Sequence, residues 1–226
     1  MSGLVLHLHP LSSYCHKVLI GLYENGTPFT AKTVNLQDEN ERGTYVKLSP
    51  FGKIPALEDT ARGKAVNESS VILEYVERHY PGRVPLIPSD TDAMIGVRMW
   101  DRFLDQYLHQ PMQRVVAENF RPEGKHDPFG ADEARASIRR SHDHLEKRLG
   151  EVPYVGGADF SLADCAAAPA LFYAQAAVPF ADSHPNIARY FEHLLARPSY
   201  ARTLEGAKPF LKYFPLADRL PARFKA

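Results

Sequence analysis

Leu4, Leu6 and Leu8 alternate with Val5, His7 and His9 at the start of the chain, the two-residue period of a strand. Pro10, Ser12 and Ser13 mark a turn into a helix over 14–24, with Val18, Leu19 and Leu22 as its inner stripe and Asn25-Gly26 as its stop. A second strand over 29–34 and a short polar helix over 42–48 follow. Beyond Ser49-Pro50-Phe51-Gly52, two short strands over 54–58 and 64–66 are separated by hairpin-length spacing. From 69 to 80, Ile72, Val76 and Tyr80 recur every four residues, which predicts an amphipathic helix ending at Pro81-Gly82. The order β-α-β-α-β-β-α describes a small α/β domain with a mixed sheet.

Pro81, Pro85 and Pro88 make the next stretch semi-rigid, and beyond it the spacing is helical throughout. The expected division is an α/β domain over 1–82, a linker over 83–91 and an all-helical domain over 92–226. Ile95, Met99/Trp100, Phe103/Leu104 and Tyr107/Leu108 hold helical spacing up to Pro111, which is expected to kink or end that helix. Residues 121–131 read as a loop. Ala134, Ile138, Leu145 and Leu149 mark another helix up to Gly150, the next one opens at Ser161, and a further one runs over 187–195 before Pro198.

The 27 basic and 27 acidic residues among 226 leave no net field for holding nucleic acid or an anionic membrane. No window approaches the roughly 18 apolar residues of a membrane helix. The N-terminal apolar run is interrupted by His7, His9 and Pro10, so it does not read as a signal peptide. Cys15 and Cys165 are too few and too far apart for a disulfide framework, which suits a reducing cytoplasm.

Three segments carry candidate chemistry. Ser12-Ser13-Tyr14-Cys15 stands where a helix presents unpaired N–H groups, a place for an N-cap, for a hydroxyl that stabilises a thiolate, or for an acidic cysteine. Pro55, at the start of a short strand, is either a plain edge proline or a cis turn that leaves the Ile54 backbone free to pair with an extended peptide. Asn67-Glu68-Ser69-Ser70 at a helix start reads as capping by Ser69 or as a site for an α-amino-acid headgroup, with the helix end for carboxylate and Glu68 for ammonium. His7-x-His9 and His142-x-His144 have no carboxylates or cysteines arranged to complete a ligand shell, so no metal is expected.

Together these segments resemble the cytosolic glutathione transferase family. Ser12-Ser13-Tyr14-Cys15-His16-Lys17-Val18 is similar to the Ser-x-x-x-x-Arg/Lys-Val stretch of serine-type classes such as zeta and tau. Residues 50–57 and 68–75 resemble the family's second and third motifs, and Phe160-Ser161-Leu162-Ala163-Asp164 resembles its capping box, with Ser161 and Asp164 satisfying each other's donors. The resemblance implies a thioredoxin-like N-terminal domain followed by an all-α domain. It also implies a homodimer and an enzyme whose co-substrate is glutathione, with no separate cofactor. Carried over by residue, Ser12 would be catalytic, Lys53 would meet the glycyl carboxylate, Ile54 beside Pro55 would pair with the cysteinyl unit, and Glu68 and Ser69 would hold the γ-glutamyl end. Tyr107, Met112 and Arg114 would line the pocket of a small electrophile, and Phe51 would anchor the dimer. A free thiol with a pKa near 8.5 is only about 3% ionised at pH 7, and lowering it by about two units costs roughly 2.7 kcal/mol. One hydrogen bond plus a helix dipole can supply that. Isomerisation, dehalogenation, peroxide reduction and a non-catalytic carrier role share the same implied site, and Cys15 keeps a possible redox role.

Overall fold

The computed structural model describes residues 3–225, so the outermost residues of the 1–82 and 92–226 spans lie outside it. Four strands, β1 (Leu4–Leu8), β2 (Thr30–Thr33), β3 (Ala56–Asp59) and β4 (Lys64–Asn67), form one sheet in the order β2-β1-β3-β4. β1 runs parallel to β2 and antiparallel to β3, and β3 pairs antiparallel with β4. Three helices belong with the sheet: α1 (Ser13–Asn25), α2 (Glu39–Tyr45) and α3 (Ser69–His79). This is the thioredoxin-like arrangement, and six helices follow it: α4 (Thr91–Phe103), α5 (Gln110–Glu118), α6 (Pro128–Leu149), α7 (Leu162–Ala177), α8 (Pro185–Leu195) and α9 (Pro198–Ala207).

α1 is buried on more than one stripe. Ile20 and Lys17 are shielded as fully as Val18 and Leu22, because both the sheet domain and α7 and α9 pack around it. Its fit against α3 is close at Gly21, where a Cβ would come within 2.4 Å of the Leu73 side chain. Gly26 ends the helix with φ at 70°, a left-handed conformation that costs glycine nothing, and its N–H caps the last turn. One apolar cluster runs from Leu4 and Leu57 through Leu73 and Leu86 to Leu171 and Phe191, so the two halves share a core. The stretch between them carries no helix or strand but is pinned: Leu86 is buried, and its carbonyl accepts the Leu162 N–H at 2.8 Å. Among the described residues no helix is long and apolar enough to cross a membrane.

Prolines open helices here more often than they end them. Pro128, Pro185 and Pro198 each stand in a first turn, where the missing N–H has no partner to lose. Helix α6 therefore begins inside the stretch expected to be a loop, and Pro198, which follows the helix expected over 187–195, begins α9. Helix α2 starts three residues earlier than the polar helix expected over 42–48, because Asp38 caps it by accepting the N–H groups of Asn40 and Glu41.

Pro111 corrects the sequence reading most. The helix neither ends there nor breaks; α4 passes through a π-helical turn, Leu104–His109, into α5. Proline cannot donate to the Tyr107 carbonyl four residues back, and the Ser141 hydroxyl of α6 donates to that oxygen at 2.6 Å.

At the start of α7 the Ser161 N–H donates to Asp164 Oδ2 at 2.9 Å and the Ser161 hydroxyl to the same oxygen at 2.8 Å. The Val155 N–H and the Tyr190 hydroxyl donate to the other carboxylate oxygen. Asp164 thus holds the preceding loop and α8 as well as the helix end.

His16 and His142 are completely buried, and desolvation lowers both imidazole pKa values to about 4 from 6.5. Between these values the unfolded chain binds protons that the folded chain refuses, so stability falls as pH drops through that window. Urea midpoints at pH 7 and pH 5 should differ accordingly, and His142→Asn should reduce the difference whatever it does to the midpoint at pH 7. An equal difference in the variant would show that His142 is not among the groups responsible.

Candidate active site

The N-terminus of α1, the loop before β3 and the N-terminus of α3 supply the polar groups. Ser12 is the N-cap of α1: its Oγ accepts the Cys15 N–H at a long 3.4 Å, and its hydroxyl donates to nothing among the described residues. Two bonds hold the turn that presents it. The Ser12 N–H donates to the His9 carbonyl at 2.9 Å, and the Tyr173 hydroxyl of α7 donates to the Leu11 carbonyl at 2.9 Å.

The Ile54–Pro55 peptide is cis, and β3 begins only at Ala56, so Ile54 stands outside the ladder. The loop is braced through the Lys53 carbonyl, which accepts the hydroxyls of Tyr45 at 2.7 Å and Ser49 at 2.8 Å, and by Asn67, whose amide donates to the Leu48 carbonyl at 3.1 Å. The Lys53 side chain is exposed.

Glu68 precedes α3 with φ at 68° and ψ at 120°, an unfavourable conformation for a residue with a Cβ. Strain at this position leaves the Glu68 side chain exposed while Ser69 and Ser70 are buried at the helix start.

Behind these helix starts lies a buried cluster of charge. Lys17 has no exposed surface; its ammonium is 2.6 Å from Asp101 and 2.8 Å from Asp105 and donates to the Ser70 hydroxyl at 2.7 Å. Ser70 in turn donates to Asp101 at 2.8 Å. Arg102, half-exposed, reaches Asp101 at 2.7 Å and Asp105 at 2.9 Å and also meets Ser70. Burial alone would raise the Asp105 carboxyl, but the Lys17 ammonium and His109 together outweigh it and hold that group well below the usual carboxylate range.

Burial pushes the Cys15 thiol up to about 12, and its side chain is fully enclosed. The redox role left open for Cys15 is therefore set aside: a thiol needs the opposite shift and an open path to react. Cys165 is buried inside α7, with its pKa raised by the same cause. Tyr14 is no better placed to ionise, because burial and then the charges of Asp105 and Glu68 raise its phenol; its ring stacks on His109 at 4.1 Å.

Ser12 and Ile54 face a cavity of about 280 Å³ between the two domains. Its other walls include Met112, Val116, Phe120, Tyr173 and Phe214. Met112 is where it was expected, but Tyr107 and Arg114 do not line the cavity; both point to solvent. That placement came from the resemblance alone; the π turn, with its wider spacing, turns the residues after it to a different face than a regular helix would. Tyr173 lies some 160 residues from Ser12 in sequence and could not have been found by spacing.

Comparisons with known proteins identify the family. Models of the glutathione S-transferase N-terminal and C-terminal domains match residues 11–79 and 128–193. The chain belongs to the glutathione S-transferase family. It is 32% identical over 161 residues to a glutathione S-transferase of Pseudomonas putida, covering 71% of this chain and 70% of the relative. To glutathione S-transferase PARB of Nicotiana tabacum it is 27% identical over 207 residues, or 88% of this chain and 96% of that one. Among solved structures, a glutathione S-transferase from Methylobacillus flagellatus with glutathione bound superposes with a TM-score of 0.81 at 27% identity, covering 88% and 98% of the two chains. One from Methylobacterium radiotolerans, in complex with glutathione sulfonate, gives 0.78 at 30% identity over 88% and 93%.

Lys17→Met would leave two buried carboxylates with only Arg102 between them. Breaking a buried pair from one side costs about 3–5 kcal/mol, and in a chain of this size each kcal/mol shifts the melting temperature by about 2–4 °C. Thermal unfolding should show a drop of that order, with Lys17→Met/Asp105→Asn recovering part of it; a double variant no more stable than the single one would remove the charge-pair account.

Proposed function

We propose that the chain is a serine-type glutathione transferase in which Ser12 stabilises the thiolate of glutathione for attack on a small electrophile. The observation that carries this reading is the Ser12 hydroxyl: it stands at the positive end of α1, its proton is uncommitted, and it opens onto a largely apolar cavity walled by both domains. A hydrogen bond from that hydroxyl favours the charged sulfur over the neutral thiol and so lowers its pKa. The remaining roles follow from chemistry. The unpaired Ile54 backbone suits the cysteinyl unit of an extended tripeptide, the α3 N-terminus at Ser69 suits its γ-glutamyl carboxylate, the exposed Glu68 suits its ammonium, and Lys53 suits the glycyl carboxylate. Cys15 offers no competing path, since its thiol is buried and protonated.

Ser12→Ala should move the midpoint of the pH–rate profile upward and cut turnover at neutral pH while leaving glutathione affinity nearly intact. Glu68→Ala or Ser69→Ala should instead weaken glutathione binding roughly 10- to 150-fold, the range for one charge-assisted contact. A Ser12→Ala enzyme with the original rate and midpoint removes the serine mechanism. Unchanged titrations for both other variants remove the γ-glutamyl assignment.

A homodimer belongs to the same reading. Phe51 is 88% exposed, and Ile95 and Met99, one turn apart on α4, are also exposed, as is Val71 on α3, which the Arg98–Glu74 pair holds beside α4. An apolar surface of this kind is expected to be covered. Sedimentation at micromolar concentration should give twice the 25.4 kDa chain mass, and Phe51→Ala should weaken association. A monomeric mass overturns the dimer, and a dimer indifferent to Phe51→Ala rejects Phe51 as its anchor.

A further inference from the structure

His9 faces the same cavity as Ser12 and takes no part in holding or activating the thiol. It follows β1 directly, and its Nδ1 accepts the Leu11 N–H at 3.2 Å. In the neutral ring the hydrogen is therefore on Nε2, and Nε2 has no partner among the described residues. Phe210 packs edge-on against the ring at 5.3 Å. Burial lowers the imidazole pKa, which keeps the ring neutral at physiological pH. Beyond Ser12, which serves the thiol, other polar groups in the cavity are partly engaged, Ser13 as an acceptor. Gln113 donates its amide to Ser13 at 3.2 Å, and Tyr173 spends its hydroxyl on Leu11. Tyr213 stands at the rim, 64% exposed. Met112, Val116, Phe120, Phe214 and Pro215 leave the rest of the wall apolar.

We propose that His9 is a catalytic residue on the electrophile side, donating a hydrogen bond from Nε2 to an oxygen that becomes anionic during attack, and that the preferred electrophiles are apolar α,β-unsaturated carbonyl compounds. The proposal rests on the transferase reading given above. In the step, the thiolate sulfur forms a bond to the β carbon. The C=C electron pair moves to join the α carbon and the carbonyl carbon, and the carbonyl π pair moves onto oxygen, giving an enolate. His9 keeps its proton and holds the enolate oxygen through Nε2–H, after which water protonates the α carbon. Because charge accumulates on that oxygen only as the C–S bond forms, the hydrogen bond strengthens in the transition state and accelerates addition. A neutral imidazole suits this role, as it stabilises the oxygen without placing a cation beside the thiolate. An apolar electrophile with one acceptor oxygen also matches a largely apolar wall that carries the His9 donor.

The test compares kcat/KM for 4-phenyl-3-buten-2-one with that for benzyl chloride, whose displacement by the thiolate develops no oxyanion. His9→Asn keeps an oxygen able to accept the Leu11 N–H but removes the donor at the Nε2 position. It should lower the enone-to-chloride ratio roughly 10- to 100-fold. His9→Gln, whose amide N–H reaches farther, should restore part of that ratio, and Tyr213→Phe should lower it less than His9→Asn does. An unchanged ratio in His9→Asn, no enone turnover by the unsubstituted chain, or a larger effect from Tyr213→Phe each overturns the role of His9. Failure of the unsubstituted chain to conjugate benzyl chloride overturns the transferase reading instead.

Discussion

A lysine ammonium with no exposed surface is costly to bury, and Lys17 is tolerated because two carboxylates and a hydroxyl take its three hydrogens. Those partners come from α3 and from the α4–π-turn segment, while Lys17 itself is on α1. Directional bonds of this strength restrict how three helices can sit against one another, which apolar packing alone specifies more loosely. The consequence appears one turn away along both N-terminal-domain helices. Ser12 is five residues before Lys17, and Ser69 adjoins Ser70, so the thiol end and the γ-glutamyl end of the proposed glutathione site are both referred to one buried charge.

The opposite wall of the cavity depends on a different constraint. Pro111 removes a backbone donor in the middle of a long helix, and the π turn before it accommodates the loss without breaking the helix. Ser141 answers the exposed carbonyl from α6, so the irregularity is tied to a neighbouring helix. A helix carried through such a turn presents Met112 and Val116 to the cavity and Tyr107 to solvent. The proposed electrophile side is thus shaped by one proline and its accommodation, whereas the proposed glutathione side is shaped by one lysine.

This contrast explains what was legible in the sequence. The β-α-β-α-β-β-α order was readable because each element carries its own period and its own stop, as Gly26 and Pro81 do. Ser12, Ile54, Glu68 and Ser69 could be singled out as candidates because each stands at an element boundary, where local chain chemistry and the proposed ligand chemistry coincide. The cavity wall was not, since it depends on helix phase after a π turn and on Tyr173 and Phe214, brought in by tertiary packing from far along the chain. Proline position was misread for a related reason. The same residue that ends one helix also starts the next, and only the distribution of backbone donors around Pro128 and Pro198 decides between them.

The choice of serine over the nearby cysteine follows from where each lies on α1. At the N-cap, Ser12 has non-helical backbone angles, stands beside unpaired N–H groups and keeps a free proton facing open space. Three residues later, Cys15 has turned inward against the core, where desolvation keeps the thiol protonated. The helix dipole favours an anion at both positions, but its influence fades within the first turn, while the desolvation penalty rises steeply over the same distance. A thiolate is therefore better brought in on a ligand and held at the N-cap than generated on the helix. In the proposed mechanism the protein supplies the donor at Ser12, and the sulfur, with the solvent access it needs, comes with the substrate.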